Sequence, residues 1–203
     1  MIEVKDLCIG YSRDKPLLRD FNYKFESKMY GIIGRSGCGK TTLLRIIAGL
    51  TKPLSGEVLI DGNSVGKAGR NGIYMMHQNY TSFDWLRCID NVLIAKRVKG
   101  KLTGEDIDKA MHMLSLVGLK GHENKFPKQL SGGMRQRLAL ARTLFTNPKI
   151  ILMDEPLSAL DNITRVKMQD LILKVHKKTE NIIVMVTHSQ DEAKKMCDEI
   201  IKF

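Results

Sequence analysis

Residues 31–50 read GIIGRSGCGKTTLLRIIAGL. A short apolar run enters a loop of closely spaced glycines that ends on a lysine, and a helical pattern follows at once. Within it GRSGCGKT, Gly34 to Thr41, satisfies G-x-x-x-x-G-K-[ST] at every fixed position. The pattern demands a buried strand, a small-residue turn and a helix whose N-terminus faces that turn. Small residues let successive backbone N–H groups turn inward as a nest for an anion. The helix start adds free N–H groups and the positive end of its dipole. Lys40 supplies a compact charge for outer phosphates, and the Thr41 hydroxyl suits Mg²⁺, which prefers hard oxygen ligands. The stretch Gly34, Arg35, Ser36, Gly37, Cys38, Gly39, Lys40, Thr41 and Thr42 is therefore assigned to a nucleotide phosphate site.

The rest of the chain supplies the frame such a loop needs. MIEVKDLCIGYS and LRDFNYKF alternate as strands do, with Phe21, Tyr23 and Phe25 on one face. MYGIIG reads as the buried strand before the loop, and Thr41 to Ala48 as the helix after it, stopped by Gly49. SGEVLIDG and GIYMMHQ are further strands. From about Leu86 to Thr146 the texture turns helical, with apolar spacing at Met111, Leu114, Val117 and Leu119. KIILMDEP and NIIVMVTH then return as continuous apolar runs of strand length, the mark of a parallel sheet covered on both faces. Helices over Ile163 to Lys178 and Gln190 to Met196, and a last strand in DEIIKF, complete an α/β alternation.

IILMDEP puts Asp154 and Glu155 at the C-terminal end of a buried strand, the edge where open α/β sheets bind ligands. Asp154 is assigned to the metal and Glu155 to orienting and deprotonating an attacking water. Alternation of side chains along the strand is expected to separate the two roles. Some ninety residues after the first loop, LSGGMRQRLALAR repeats its logic without the lysine. Ser131, Gly132 and Gly133 precede a helix, and by themselves they read as an N-cap.

The formal net charge of +11 admits nucleic acid, an anionic membrane surface or a polyanionic small ligand as partner. The basic residues are spread along the chain, as for solvated surface. No apolar run approaches the ~20 residues needed to cross a bilayer, and MIEVKD has no apolar signal region, so the chain is expected in the cytoplasm. Cys8, Cys38, Cys88 and Cys197 are scattered, with no C-x-x-C pair for zinc, and free thiols are expected.

Taken together, these motifs resemble those of the ATP-binding subunits of ABC transporters, in the family's order and nearly from end to end. GRSGCGKT resembles the Walker A loop, and Gln78 the Q-loop glutamine. LSGGM resembles the signature, normally LSGGQ, and IILMDE Walker B. Ser158 to Asp161, SALD, resembles the D-loop, His188 the switch histidine, and Tyr11 the aromatic that stacks on adenine. The resemblance implies an α/β fold: a P-loop NTPase core with a mostly parallel sheet, an N-terminal antiparallel β subdomain and an inserted α-helical subdomain. The core would span about 1–85 and 147–203, and the helical subdomain, with the signature, about 86–146. It implies ATP and Mg²⁺ as cofactors, with Thr41, Gln78 and Asp154 at the metal. Glu155, His188, Lys40 and Gln78 would be catalytic, and Ser131, Gly132, Gly133 and Asp161 would meet the nucleotide of a second copy in an ATP-dependent homodimer.

The resemblance further implies transmembrane permease subunits as partners, with an extracytoplasmic solute-binding protein engaged indirectly and no nucleic acid. A permease helix would dock near Gln78 to Leu86, and the chain would lie on the inner face of the cell membrane. NYTSFDWLRCIDNV, with Trp85, is similar to the corresponding stretch in nitrate, sulfonate and taurine importers. The charge alone favours an alternative, a soluble cassette ATPase acting on nucleic acid or ribosomes. A nucleotide sensor without turnover is disfavoured by Glu155 and His188. Met134 departs from the signature glutamine, and the chain is short for the family.

Overall fold

The computed structural model describes residues 1–10, 12, 15–65, 72–77 and 82–203. Tyr11 and Gln78, both given roles above, lie outside the described residues. In chain order the first elements are β1 (Ile2–Gly10), β2 (Pro16–Phe25), β3 (Met29–Ile33), α1 (Lys40–Ile47), β4 (Ser55–Ile60), β5 (Asn63–Ser64) and β6 (Ile73–Met76). Then come α2 (Cys88–Arg97), α3 (Gly104–Leu116), α4 (Gly132–Phe145), β7 (Ile150–Asp154), α5 (Asn162–Thr179), β8 (Ile182–Val186), α6 (Gln190–Met196) and β9 (Glu199–Lys202). The elements form two compact units: Met1–Met75 with Lys149–Glu155 and Glu180–Phe203, and Met76–Pro148 with Pro156–Thr179.

The first unit is built on two sheets. One has the order β2-β1-β4-β5, with antiparallel neighbours, and the other the order β6-β7-β8-β3-β9. In the second sheet β7, β8, β3 and β9 run parallel, as the continuous apolar runs require. Every residue of β7 and β8 is buried. Leu43, Leu44, Ile46 and Ile47 of α1 share one core with Ile2, Val4 and Ile9 of the antiparallel sheet and Leu152 and Val184 of the parallel one. At about 1.5–3 kcal/mol for each fully buried aliphatic side chain, this shared core is what holds α1, and hence the loop before it, in place. The aromatic face expected on β2 is present: Tyr23 lies 4.8 Å from Phe25, and Phe25 4.9 Å from Tyr30, ring centre to ring centre.

The second unit is helical. Thr103 caps α3 in a reciprocal arrangement with Asp106, whose carboxyl is held below the usual range first by the Thr103 N–H and then by its hydroxyl. Ala110, Met113, Leu114 and Val117 are buried along this helix, while Met111, expected inside, is 42% exposed. Leu114, Val117 and Leu119 of the expected stripe are fully buried, so the spacing holds except at Met111. Gly118 ends α3 at φ 71°, and Arg137 of α4 donates to the carbonyls of Val117 and Gly118, both at 2.9 Å. A Cβ at Gly118 would lie 2.7 Å from the Arg137 Nη1, so a larger residue, besides having to adopt this left-handed φ, would displace the guanidinium from these carbonyls. Among the described residues no helix is long and apolar enough to cross a membrane, and the four cysteines are unpaired with one another.

Candidate functional site

The glycine loop connects β3 to α1, as its sequence demands. Gly37 and Gly39 have φ of 80° and 102°, a backbone region that only glycine enters without strain. Gly39 is the N-cap of α1 and offers no side chain to it, and the first turn carries no acid. The first N–H groups of a helix lack intrahelical acceptors, so this uncapped start is complementary to an anion. Lys40 is buried, and its ammonium donates to the carbonyls of Gly34 and Arg35 at 3.0 and 2.7 Å. The charge is thereby held over the loop. Gly34 has a second reason to be glycine: a Cβ there would stand 2.7 Å from the Phe203 carbonyl oxygen.

Beside the loop, the Thr41 hydroxyl donates to Asp154 Oδ1 at 3.1 Å, and Asp154 is buried at the end of β7. No group of three or more His, Cys, Asp or Glu side chains gathers as a metal site among the described residues. A hydroxyl and one carboxylate instead fit Mg²⁺, which keeps several waters and takes its other ligands from substrate phosphates. Glu155 stands just beyond β7 with φ 50°. What separates it from Asp154 is this left-handed turn, not the strand alternation expected from sequence. Its N–H donates to Val186 O at 3.0 Å, tying the turn to the end of the neighbouring β8. The Glu155 carboxylate lies 2.6 Å from His188 Nε2, the carboxylate mostly buried and the ring half exposed. Glu155 and His188 thus form an acid–imidazole pair at the C-terminal edge of the parallel sheet, the edge where open α/β sheets bind ligands.

In the second unit Ser131 caps α4, its hydroxyl accepting from the Met134 N–H at 3.3 Å. The N-cap reading is therefore correct as local structure. Ser131 and Gly132 are exposed, as are Ser158 and Ala159. A Cβ on Gly133 would lie 3.2 Å from the Ala159 carbonyl oxygen, so glycine permits the two turns to touch. Asp161 accepts from the Thr164 N–H at 3.0 Å, capping α5. That bond is the first cause of its carboxyl lying below the usual range.

With this geometry in hand, the family profile described as ABC transporter matches residues 18–158. The chain belongs to the ABC transporter family. The taurine import ATP-binding protein TauB of Pelagibacter ubique is 44% identical over 178 residues, 87% of this chain and 66% of that protein. The uncharacterized ABC transporter ATP-binding protein MJ0412 of Methanocaldococcus jannaschii is 45% identical over 178 residues, with the same shares. The chain spans about two thirds of the length of these curated relatives. Among solved structures, the dimeric structure of MJ0796, a bacterial ABC transporter cassette, matches with a TM-score of 0.90 at 33% identity, covering 100% of this chain and 94% of that one. A post-hydrolysis state of the MJ0796 cassette bound to ADP and Pi matches with the same TM-score at 32% identity and the same coverage.

In this ABC cassette several positioning groups carry little local sequence signal. His188 stands on a turn held by its neighbours: the Thr187 hydroxyl donates to Glu192 at 2.5 Å and accepts from the Ser189 N–H at 3.1 Å. Asn91, fully buried on α2, accepts from the Phe83 N–H and donates to the Phe83 and Leu86 carbonyls at 2.8, 3.1 and 3.0 Å. It pins the turn on which Trp85 stands 74% exposed against Phe83. A polar residue inside an apolar helical pattern, as in CIDNVLIAK, was the available clue.

Proposed function

We propose that this ABC cassette is the ATP-hydrolysing subunit of a membrane transport system, an importer, working as an ATP-bridged homodimer on separate permease subunits. The observation that carries the reading is the pairing of Glu155 with His188 beside the Thr41–Asp154 contact and the uncapped start of α1. In the reaction, water attacks the γ-phosphorus in line, the bond to the β–γ bridging oxygen breaks, and ADP leaves with the bonding pair. Phosphoryl transfer asks the protein mainly for positioning and charge neutralisation. Lys40 and the loop N–H groups neutralise the phosphates. Glu155 accepts the proton of the attacking water, and the His188 ring, 2.6 Å from the Glu155 carboxylate, would turn from it to the γ-phosphate when nucleotide binds. Thr41, Asp154 and Gln78 would hold Mg²⁺, which would supply Lewis-acid stabilisation of the leaving oxygens.

A nucleotide gripped by Lys40 of one copy would be closed by Ser131, Gly132, Gly133 and Asp161 of the other, and Tyr11 would stack on its adenine. Two equivalent sites follow from two-fold symmetry. The exposed Trp85, backed by half-buried Phe83, suits a permease contact, and the relatives named for taurine import favour import over the nucleic-acid alternative that the charge alone suggested. A solute-binding protein would then act from outside, and the cassette would sit on the inner face of the membrane. Glu155→Gln tests the reading: it should keep ATP binding, lower steady-state turnover by about 10²–10⁴-fold, and accumulate as a dimer with ATP in size-exclusion chromatography with light scattering. Unchanged turnover, or a monomer at saturating ATP, would refute it.

A further inference from the structure

The turn over residues 157–161 is short, irregular and exposed at Ser158, Ala159 and Asp161, yet it is held from two directions. From α5, Arg165 donates to the Leu160 carbonyl at 2.7 Å and, more weakly, to the Leu157 carbonyl at 3.4 Å. From α4, Gln136 Oε1 accepts the Ala159 N–H at 3.0 Å. A backbone N–H can only donate, so this contact fixes which end of the Gln136 amide faces the turn. Gln136 is 1% exposed and lies in the second turn of the helix that Ser131 caps. Gly133, on the same helix, brings α4 against the carbonyl of the very residue whose N–H Gln136 holds. The serine–glycine turn and the 157–161 turn are thus joined through one residue, Ala159, by a hydrogen bond on its donor and a close contact on its acceptor.

We propose that Gln136 is a positioning residue: it locks the 157–161 turn to the 131–133 turn, so that both meet the nucleotide of a second copy as one rigid ledge. The inference rests on the function proposed above and adds to it a residue that touches neither nucleotide nor water. Because Ala159 is exposed, solvent can replace the lost acceptor when Gln136 is changed. The effect then falls on placement more than on stability, and small misplacements of positioning groups are costly to turnover, about 10²-fold for 1 Å.

Gln136→Met keeps the length of the side chain and removes the acceptor. It should leave the affinity of the isolated chain for a fluorescent ATP analogue within about twofold, and reduce kcat by about 10–100-fold with little change in KM. Mixing decides whether the effect is exerted across the dimer. A heterodimer of Gln136→Met with Lys40→Ala contains one site built from an intact lysine loop and an intact ledge, so activity should rise several-fold above either variant alone. Unchanged kcat in Gln136→Met, or no recovery in mixtures shown to contain heterodimers, would overturn the proposal. Amide exchange in the unmodified protein needs no variant. The Ala159 N–H should exchange at least about tenfold more slowly than an unprotected amide, and exchange at the unprotected rate would also overturn the lock. A native chain without ATPase activity would instead sink the function, while Ala159 exchange would still decide the lock.

Discussion

The two glycine turns of this protein look alike in sequence and are built on opposite principles. The first, Gly34 to Thr41, is self-contained. Gly37 and Gly39 set the backbone by their own left-handed conformations, and Lys40 is held by carbonyls of the same loop. The second, Ser131 to Gly133, has an ordinary side-chain cap, and its glycine matters for what it allows a distant turn to touch. One turn is a site by local geometry. The other becomes a surface only when the 157–161 turn is packed against it.

Substitutions can break this contrast, and Lys40→Ala should do most. Hydrogen bonds to charged groups are worth roughly 1.5–3 kcal/mol, so ATP affinity should fall about 10–100-fold in a fluorescent-nucleotide titration. The same assay on Ser131→Ala, run on the isolated chain at concentrations too low to dimerise, should show no change. Gly37→Ala and Gly133→Ala form a sharper pair. Among the described residues nothing stands within 4 Å of a Cβ at Gly37, so its cost is the left-handed backbone, of order 1–3 kcal/mol, and should appear as weaker nucleotide binding. At Gly133 the added methyl presses on Ala159, so turnover should fall several-fold at unchanged affinity of the isolated chain. If both variants lost affinity alike, the two turns would not differ as described.

Smaller effects come from the caps. Ser131→Ala removes one N-cap and should cost about 1 kcal/mol, seen as a melting temperature lower by about 2–4 °C. Asp161 accepts from the Thr164 N–H, and its carboxyl lies below the usual range. A depressed folded-state value gives stability that is present above the unfolded value of about 3.9 and is lost as pH falls through the folded one. Asp161→Asn should therefore lower the melting temperature most above about pH 4, where the carboxylate is charged, and its profile should converge with that of the unmodified protein at lower pH.

Much of the fold was legible because it is periodic or local. Continuous apolar runs announced β7 and β8, and alternation announced the aromatic face of β2. The buried stripe of α3 was legible only in part, since Met111 lies outward where its spacing pointed inward. Asp161, which the resemblance assigned to the contact with another copy, also caps α5, a role visible in the structure once its Thr164 partner is in place. Gln136 and Asn91 were missed because a buried amide is recognised by its partners, and those partners belong to turns that no periodicity describes.

The sequence by itself determined the lysine loop, the strand before it, the helix after it and the two acids at the end of β7. Each depends on neighbours along the chain, on what glycine permits, and on what a strand end presents. Tertiary structure alone decided that Glu155 leaves its strand through a left-handed turn, that His188 closes on it at 2.6 Å, and that Ala159 is held by Gln136. Each depends on contacts between groups apart in the chain, and no local preference sets them until the sheet and the helices have packed.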